Sequence, residues 1–255
     1  KQAELLREQA LQEQEYRLLQ RAVEIRDEFL SIASHELNTP ITPLSLQMES
    51  FLKMAGNGKL KSVDTERLER MLRTAYGQVE RLARLVSELV DVSKISGGKL
   101  HIVRSPVRLG GAGETGLEAL RDEIHNLGCE VRLISQANPV GSWDRFRIEQ
   151  VLINLLANAL KYGLGKPIEI RIEAHDDTAR FSVRDQGMGI ARSDQARVFE
   201  RFERAVSPQN YGGLGLGLFI SKEIVELHGG SIRIESAPDL GANFIVELPL
   251  TAQSS

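Results

Sequence analysis

The chain has 255 residues, 42% of them hydrophobic and 26% charged, with a formal net charge of -3 at pH 7. That supplies enough apolar side chains for one large or two ordinary domains, and a charge this close to neutral gives no electrostatic reason to bind nucleic acid or an anionic membrane. The single cysteine, Cys129, excludes an intrachain disulfide and a cysteine-based metal cluster, which fits a reducing compartment.

No run of about 18 apolar residues occurs, and the charged start at Lys1 is unlike a signal peptide, so this segment is expected to make no membrane contact and to lie in the cytoplasm. The absence of an initiator methionine predicts a fragment of something longer.

Residues 1 to 31 are rich in Glu, Gln, Arg and Leu and lack glycine and proline. Leu18, Ala22, Ile25, Phe29 and Ile32 recur at four-three spacing, the pattern of a coiled coil. In that register His35 falls beside the seam, on the exposed flank. Residues four apart share a helix face, so His35 and Thr39 look out together while Glu36 can reach the imidazole from the side. His35 is therefore a candidate nucleophile, although a surface histidine on an amphipathic helix would look the same in isolation. Pro40 and Pro43 each remove a helical donor just after it, at about 3 kcal/mol per proline. A built-in bend is expected there.

Gly56-Asn57-Gly58 ends this helix, and Asp64 is placed to cap the next. Leu68, Leu72, Ala75, Val79, Leu82, Val86 and Leu89 then hold the same spacing. The two helices predict an antiparallel hairpin. Such a hairpin cannot cover its own apolar seam, so two chains are expected to pair as a homodimeric four-helix bundle; a monomeric hairpin packed on the C-terminal domain is the other arrangement the pattern allows.

Ser96-Gly97-Gly98 marks a domain boundary. Beyond it, strand-like runs (100–103, 131–135, 168–174, 180–184, 231–236, 243–248) alternate with helical ones (115–127, 144–162, 193–202, 216–227), which predicts an α/β sandwich with helices on one face of a mixed sheet. The domains are set at 1–23 for a coiled-coil linker, 24–96 for the hairpin and 97–255 for the sandwich, an α+β chain as a whole.

Three motifs in the sandwich carry chemistry. Asn154 and Asn158 share one face of a helix that ends in Lys161 and Tyr162; their amide oxygens suit a hard cation and the lysine suits phosphate, though both asparagines could equally be hydrogen-bonded structural residues. Asp185-Gln186-Gly187-Met188-Gly189 follows a strand, which leaves Asp185 as an acceptor for an exocyclic amine such as that of adenine, or as the start of a plain Asp-Gly turn. Gly212-Gly213-Leu214-Gly215-Leu216-Gly217 opens a helix whose free amides form an anion site. It is neither the dinucleotide fingerprint, since position 218 is Leu, nor a Walker loop, since no Gly-Lys-Ser/Thr follows.

In this order, and with the His35 stretch ahead of them, these motifs resemble the boxes of the two-component sensor histidine kinases, whose transmitter region ends in a GHKL-type ATPase domain. The resemblance covers nearly all of residues 18 to 250. Phe29 to Pro40 match the family's H box, with Asn38 where arginine is common; Asn154 to Tyr162 match the N box, Asp185 to Gly189 and Gly213 to Gly217 the glycine boxes, and Phe199-Glu200-Arg201-Phe202 the F box. Glu203 to Gly212 would be a short ATP lid.

The resemblance implies autophosphorylation of His35 from ATP and Mg²⁺. It places Asn158 with Asn154 on the metal, Lys161, Tyr162 and Arg204 near phosphates, Asp185 with Gly187 and Gly189 at adenine, and Gly213, Gly215 and Gly217 around the phosphates. Glu36 would fix the histidine tautomer and Thr39 position a water for dephosphorylating the partner. That partner is the receiver aspartate of a separate response regulator, and the signal would come from an upstream sensor domain absent from this chain. A GHKL ATPase doing conformational work would need a general-base glutamate where Asn154 stands. A non-catalytic dimeric scaffold would not need His35, Asn158 and Asp185 intact.

Overall fold

In the computed structural model, which describes residues 2–58, 63–203 and 214–251, residues Gln2–Gly56 form one α-helix, α1. Pro40 and Pro43 lie inside it without interrupting it, so the expected bend does not break the helix. Thr39 Oγ1 donates to the His35 carbonyl at 2.9 Å and Thr42 Oγ1 to that of Asn38 at 3.0 Å, side-chain bonds that flank the two missing donors. The seam residues Leu18, Ala22, Ile25 and Phe29 have side chains outside the described residues.

Thr65–Ser96 form α2. Gln47 Nε2 donates to the Met71 carbonyl and Arg81 Nη2 reaches Glu36, so positions rise along α1 as they fall along α2, the antiparallel hairpin that the repeats predict. Ala33, Pro40, Ala75 and Leu85 are buried in it. Leu72, Val79 and Val86, spaced seven apart on α2, stay exposed. Packing divides the chain into two units, Lys1–Leu89 and Val90–Ser255, so the last turns of α2 belong with the second.

The second unit holds β1 (Ser105–Arg108), α3 (Leu109–Ala119), α4 (Arg121–Leu127), β2 (Val131–Ser135), β3 (Val140–Trp143), α5 (Arg145–Tyr162), β4 (Ile168–His175), β5 (Thr178–Arg184), α6 (Gly217–Leu227), β6 (Ser231–Ser236) and β7 (Ala242–Pro249). A mixed five-stranded sheet runs β2-β4-β5-β7-β6, parallel only between β2 and β4, with a separate antiparallel β1-β3 ribbon. Alternation sorts its two faces. Ile170, Ile172, Phe181, Val183, Phe244 and Val246 stand in facing register and are buried under α3, α5 and α6, while Glu169, Arg171, Arg180, Arg184 and Glu247 line the other side. Arg180 pairs across strands with Glu247. Cys129, just before β2, is buried with Sγ donating to the Lys166 carbonyl at 3.1 Å.

Several elements differ from the sequence expectation. Residues 100–103 form no ladder, because Val103 N donates to Asp144 Oδ2 and the Arg104 guanidinium to the Ser142 and Leu227 carbonyls; pairing starts at Ser105. The helix expected over 115–127 is two, parted at Leu120, and the first begins six residues earlier through Gly110 and Gly111. Gly110 is a close-packing glycine: its amide donates to Asn138 Oδ1 at 2.9 Å, and a Cβ there would stand 2.7 Å from that atom. Residues 193–202 contain only a 3₁₀ turn, Arg197–Phe199, since Gln195 Nε2 ties the segment to the Ile190 and Ser236 carbonyls and Phe202 takes a positive φ.

Candidate functional site

The candidate residues fall into two sets, one in each unit. On α1 the His35 side chain is 82% exposed, one residue from Glu36, whose side chain is 13% exposed. Glu36 Oε1 lies 4.0 Å from His35 Nδ1, a distance that a small side-chain rotation closes to a hydrogen bond. Its Oε2 lies 3.5 Å from Arg81 Nη2 on α2, so the carboxylate stands between imidazole and guanidinium. Thr39 is exposed one turn on, its hydroxyl bonded to the His35 carbonyl. Arg81 carried no motif; only its place in the hairpin brings it to Glu36.

In the second unit α5 begins at Asp144, whose Oδ1 caps the helix by accepting from Arg147 N, while Oδ2 accepts from Val103 N. The Asp144 amide donates to Nε2 of His228, and His228 Nδ1 donates to the Ile224 carbonyl at 2.7 Å. With one nitrogen accepting and the other donating, the fully buried imidazole is neutral, and burial pulls its pKa below the usual histidine value. The start of α5 and the end of α6 are thereby joined.

Helical spacing along α5 buries one apolar stripe, Ile148, Val151, Leu152, Leu155, Leu156, Ala159 and Leu160, and leaves Asn154 and Asn158 half-buried together on its border. The two differ. Asn154 Nδ2 donates to Ser221 Oγ on α6 at 2.7 Å, and its carboxamide lies so near Gly217 that a Cβ there would stand 2.2 Å from Oδ1. Asn158 has no side-chain bond among the described residues. Lys161 Nζ sits 4.9 Å from the centroid of the Tyr162 ring, at the end of the same helix.

Asp185 ends β5 and is 4% exposed. Its Oδ1 accepts from Gly187 N at 2.7 Å and Ala242 N at 3.3 Å. Burial pushes the carboxyl pKa up, opposed by those two amides, by its own amide and last by the charge of Lys166. Lys166 Nζ donates to the Gln186 carbonyl beside it, a basic group that no motif pointed to. Position 187 must be glycine because α5 ends against it: a Cβ would lie 2.0 Å from the Tyr162 carbonyl oxygen. Gly189 and Gly215 both have positive φ.

Gly215 packs on Phe202 and Glu203, so the residues on either side of 204–213 meet. Arg204, Gly213 and most of the expected lid lie outside the described residues. Thus Tyr162, Asp185 and Gly187 meet at the C-terminal end of α5, and Asn154 meets Gly217 two turns earlier on the same helix.

The chain matches the model of the histidine kinase, DNA gyrase B and HSP90-like ATPases over residues 143–252, and that of the His Kinase A phospho-acceptor domain over residues 25–98. The chain belongs to the two-component sensor histidine kinases, as their transmitter region. Residues 99–142, between the two matches, carry β1 to β3 in part, α3 and α4.

Among sensor histidine kinases it is 35% identical over 238 residues to the circadian input-output histidine kinase CikA of Synechococcus elongatus, covering 91% of this chain and 31% of that one. The mycobacterial kinase MtrB, from Mycolicibacterium paratuberculosis, is 32% identical over 97% of this chain and 42% of its own. The chain thus spans about a third of the length of the curated relatives it matches. In structure it is similar to the histidine kinase AdeS of Acinetobacter baumannii, with a TM-score of 0.62 and 27% identity over 85% of this chain and 98% of that one. No described helix is long and apolar enough to cross a membrane.

Proposed function

We propose that this chain transfers the γ-phosphoryl group of ATP to His35 and passes it on to an aspartate of a response regulator. The observation that carries the reading is an exposed histidine, with a carboxylate 4.0 Å from its Nδ1, in one chain with an ATPase-family domain. His35 Nε2 attacks the γ-phosphorus as the bond to the β,γ-bridging oxygen breaks and ADP leaves. Glu36 accepts the Nδ1 hydrogen, which fixes the tautomer that presents the Nε2 lone pair and supports the charge developing on the ring. An 82% exposed ring leaves room for a phosphoryl donor and then for a receiver domain.

In the second unit Asp185 would accept from the adenine amine, and Lys161, Tyr162 and Arg204 would face the phosphates, with Gly187, Gly189, Gly213, Gly215 and Gly217 letting backbone come close to the nucleotide. Mg²⁺, when bound with the nucleotide, would neutralise phosphate charge. The donor set fits it: Asn158 and Asn154 offer hard oxygens, and among the described residues no group of three His, Cys, Asp or Glu side chains competes for a metal, so phosphates would complete the ligand shell.

Exposed Leu72, Val79 and Val86 favour a homodimer, in which a second hairpin would cover their stripe. The histidine kinase ThkA, whose fold this chain shares with a TM-score of 0.61, is known in complex with the response regulator protein TrrA. That supports a receiver domain as this chain's partner, with dephosphorylation of the regulator as the reverse task. Incubation with γ-labelled ATP tests the kinase reading: label should be acid-labile, base-stable and absent from His35→Gln, and label that survives that substitution would sink it.

A further inference from the structure

The two asparagines of α5 are held differently, and the difference singles out Ser221. Asn158 has no side-chain partner among the described residues, whereas Asn154 donates from Nδ2 to Ser221 Oγ at 2.7 Å. Ser221 is 1% exposed on α6, one turn past Gly217, the residue on which the Asn154 carboxamide lies. A carboxamide can point either its oxygen or its nitrogen at a cation, and only the oxygen binds one. The Ser221 hydroxyl could also donate to an oxygen, but in this structure it accepts from Nδ2, which leaves Oδ1 toward Gly217 at the start of α6.

We propose that Ser221 is a positioning residue for the nucleotide-bound metal: it holds Nδ2 of Asn154 in the seam between α5 and α6 and so commits Oδ1 to the metal side. The inference rests on the proposed Mg-nucleotide site and adds to it a residue that touches neither metal nor nucleotide. It also assigns a chemical reason to Gly217, since any side chain there would displace the carboxamide that Ser221 holds.

Calorimetric titration with AMPPNP on the whole chain tests it, with the Mg²⁺ midpoint of binding and the affinity in EDTA measured separately. Ser221→Ala should raise the Mg²⁺ midpoint by roughly three- to ten-fold, the worth of one neutral hydrogen bond, and leave the EDTA affinity within about two-fold. On an Asn154→Ala background the same substitution should shift the midpoint no further, because the group it positions is gone. Ser221→Thr, which keeps the hydroxyl, should restore the wild-type midpoint. An unchanged midpoint in Ser221→Ala, or an equal shift with and without Asn154, would overturn the inference. Equal losses in Mg²⁺ and in EDTA would mean that Ser221 serves only packing. Wild-type AMPPNP binding that ignores Mg²⁺ would instead overturn the metal site itself, and the inference with it.

Discussion

Asp91 Oδ2, near the end of α2, lies 2.9 Å from Arg147 Nη1 on the first turn of α5, and their side chains are 6% and 11% exposed. Gln150 closes the group, donating to the same carboxylate oxygen and accepting from the same guanidinium. Removing one partner of such a buried pair strands the other charge, so Asp91→Ala should lose about 3–5 kcal/mol in urea denaturation. The double variant Asp91→Leu with Arg147→Met, which removes both charges, should recover most of it. Equal instability of the single and double variants would show that the pair is not what holds the last turns of α2.

Asp185 should show stability and binding pulling apart. Its carboxyl pKa is raised by burial, so ionisation costs native stability as pH rises past the ordinary aspartate range. An asparagine oxygen can still accept from the Gly187 and Ala242 amides. Asp185→Asn should therefore stabilise the nucleotide-free chain at pH 7 by about 0.5–2 kcal/mol while weakening ATP binding by roughly ten-fold or more. Thermal melts and calorimetry on one preparation check both halves.

His228 carries the opposite sign. Burial lowers its pKa below 6.5, so between that folded value and 6.5 the unfolded chain binds the proton that the native chain refuses. Stability should fall as pH drops below about 6.5 and be level above it. Compared with wild type, His228→Gln should be less stable at pH 8 and should lose this part of the acid-side slope. A wild type and variant with parallel stability profiles from pH 5 to 8 would refute the assignment.

On the proposed mechanism, with His35 as nucleophile and Glu36 as orienting base, Thr39→Ala should keep much of the autophosphorylation yet lose most of any phosphatase activity toward the regulator. The hydroxyl donates to the His35 carbonyl, which still leaves its lone pairs to orient a water. Decay of phosphorylated regulator at equal rates with both proteins would leave Thr39 with its helical bond alone.

Much of this molecule was legible because period and punctuation agree. The four-three repeats through Leu89 gave both long helices, and alternation gave β2 and β6 to the residue, since a sheet covered on one side must read in twos. The start of α3 was missed because glycine weakens a helical pattern: the run was expected from 115, yet Gly110, packed on Asn138, and Gly111 lie within the helix. The partners of the site were hidden for a different reason. Ser221, Lys166 and Arg81 lie far along the chain from Asn154, Gln186 and Glu36, and no local pattern records a contact that only tertiary packing creates.

The burial of Cys129 should leave the native chain slow to react with thiol reagents. Burial, reinforced by Glu130, pushes its pKa up, so little of the reactive thiolate exists at neutral pH, and the sulfur is occupied with the Lys166 carbonyl. One new cysteine at an exposed position, such as Val103 or Leu164, would thus take a spectroscopic label without a background to subtract. In the unlabelled protein the rate at which Cys129 reacts becomes a clock for the opening of the β2 edge, read with a chemical reagent and no mutation at all.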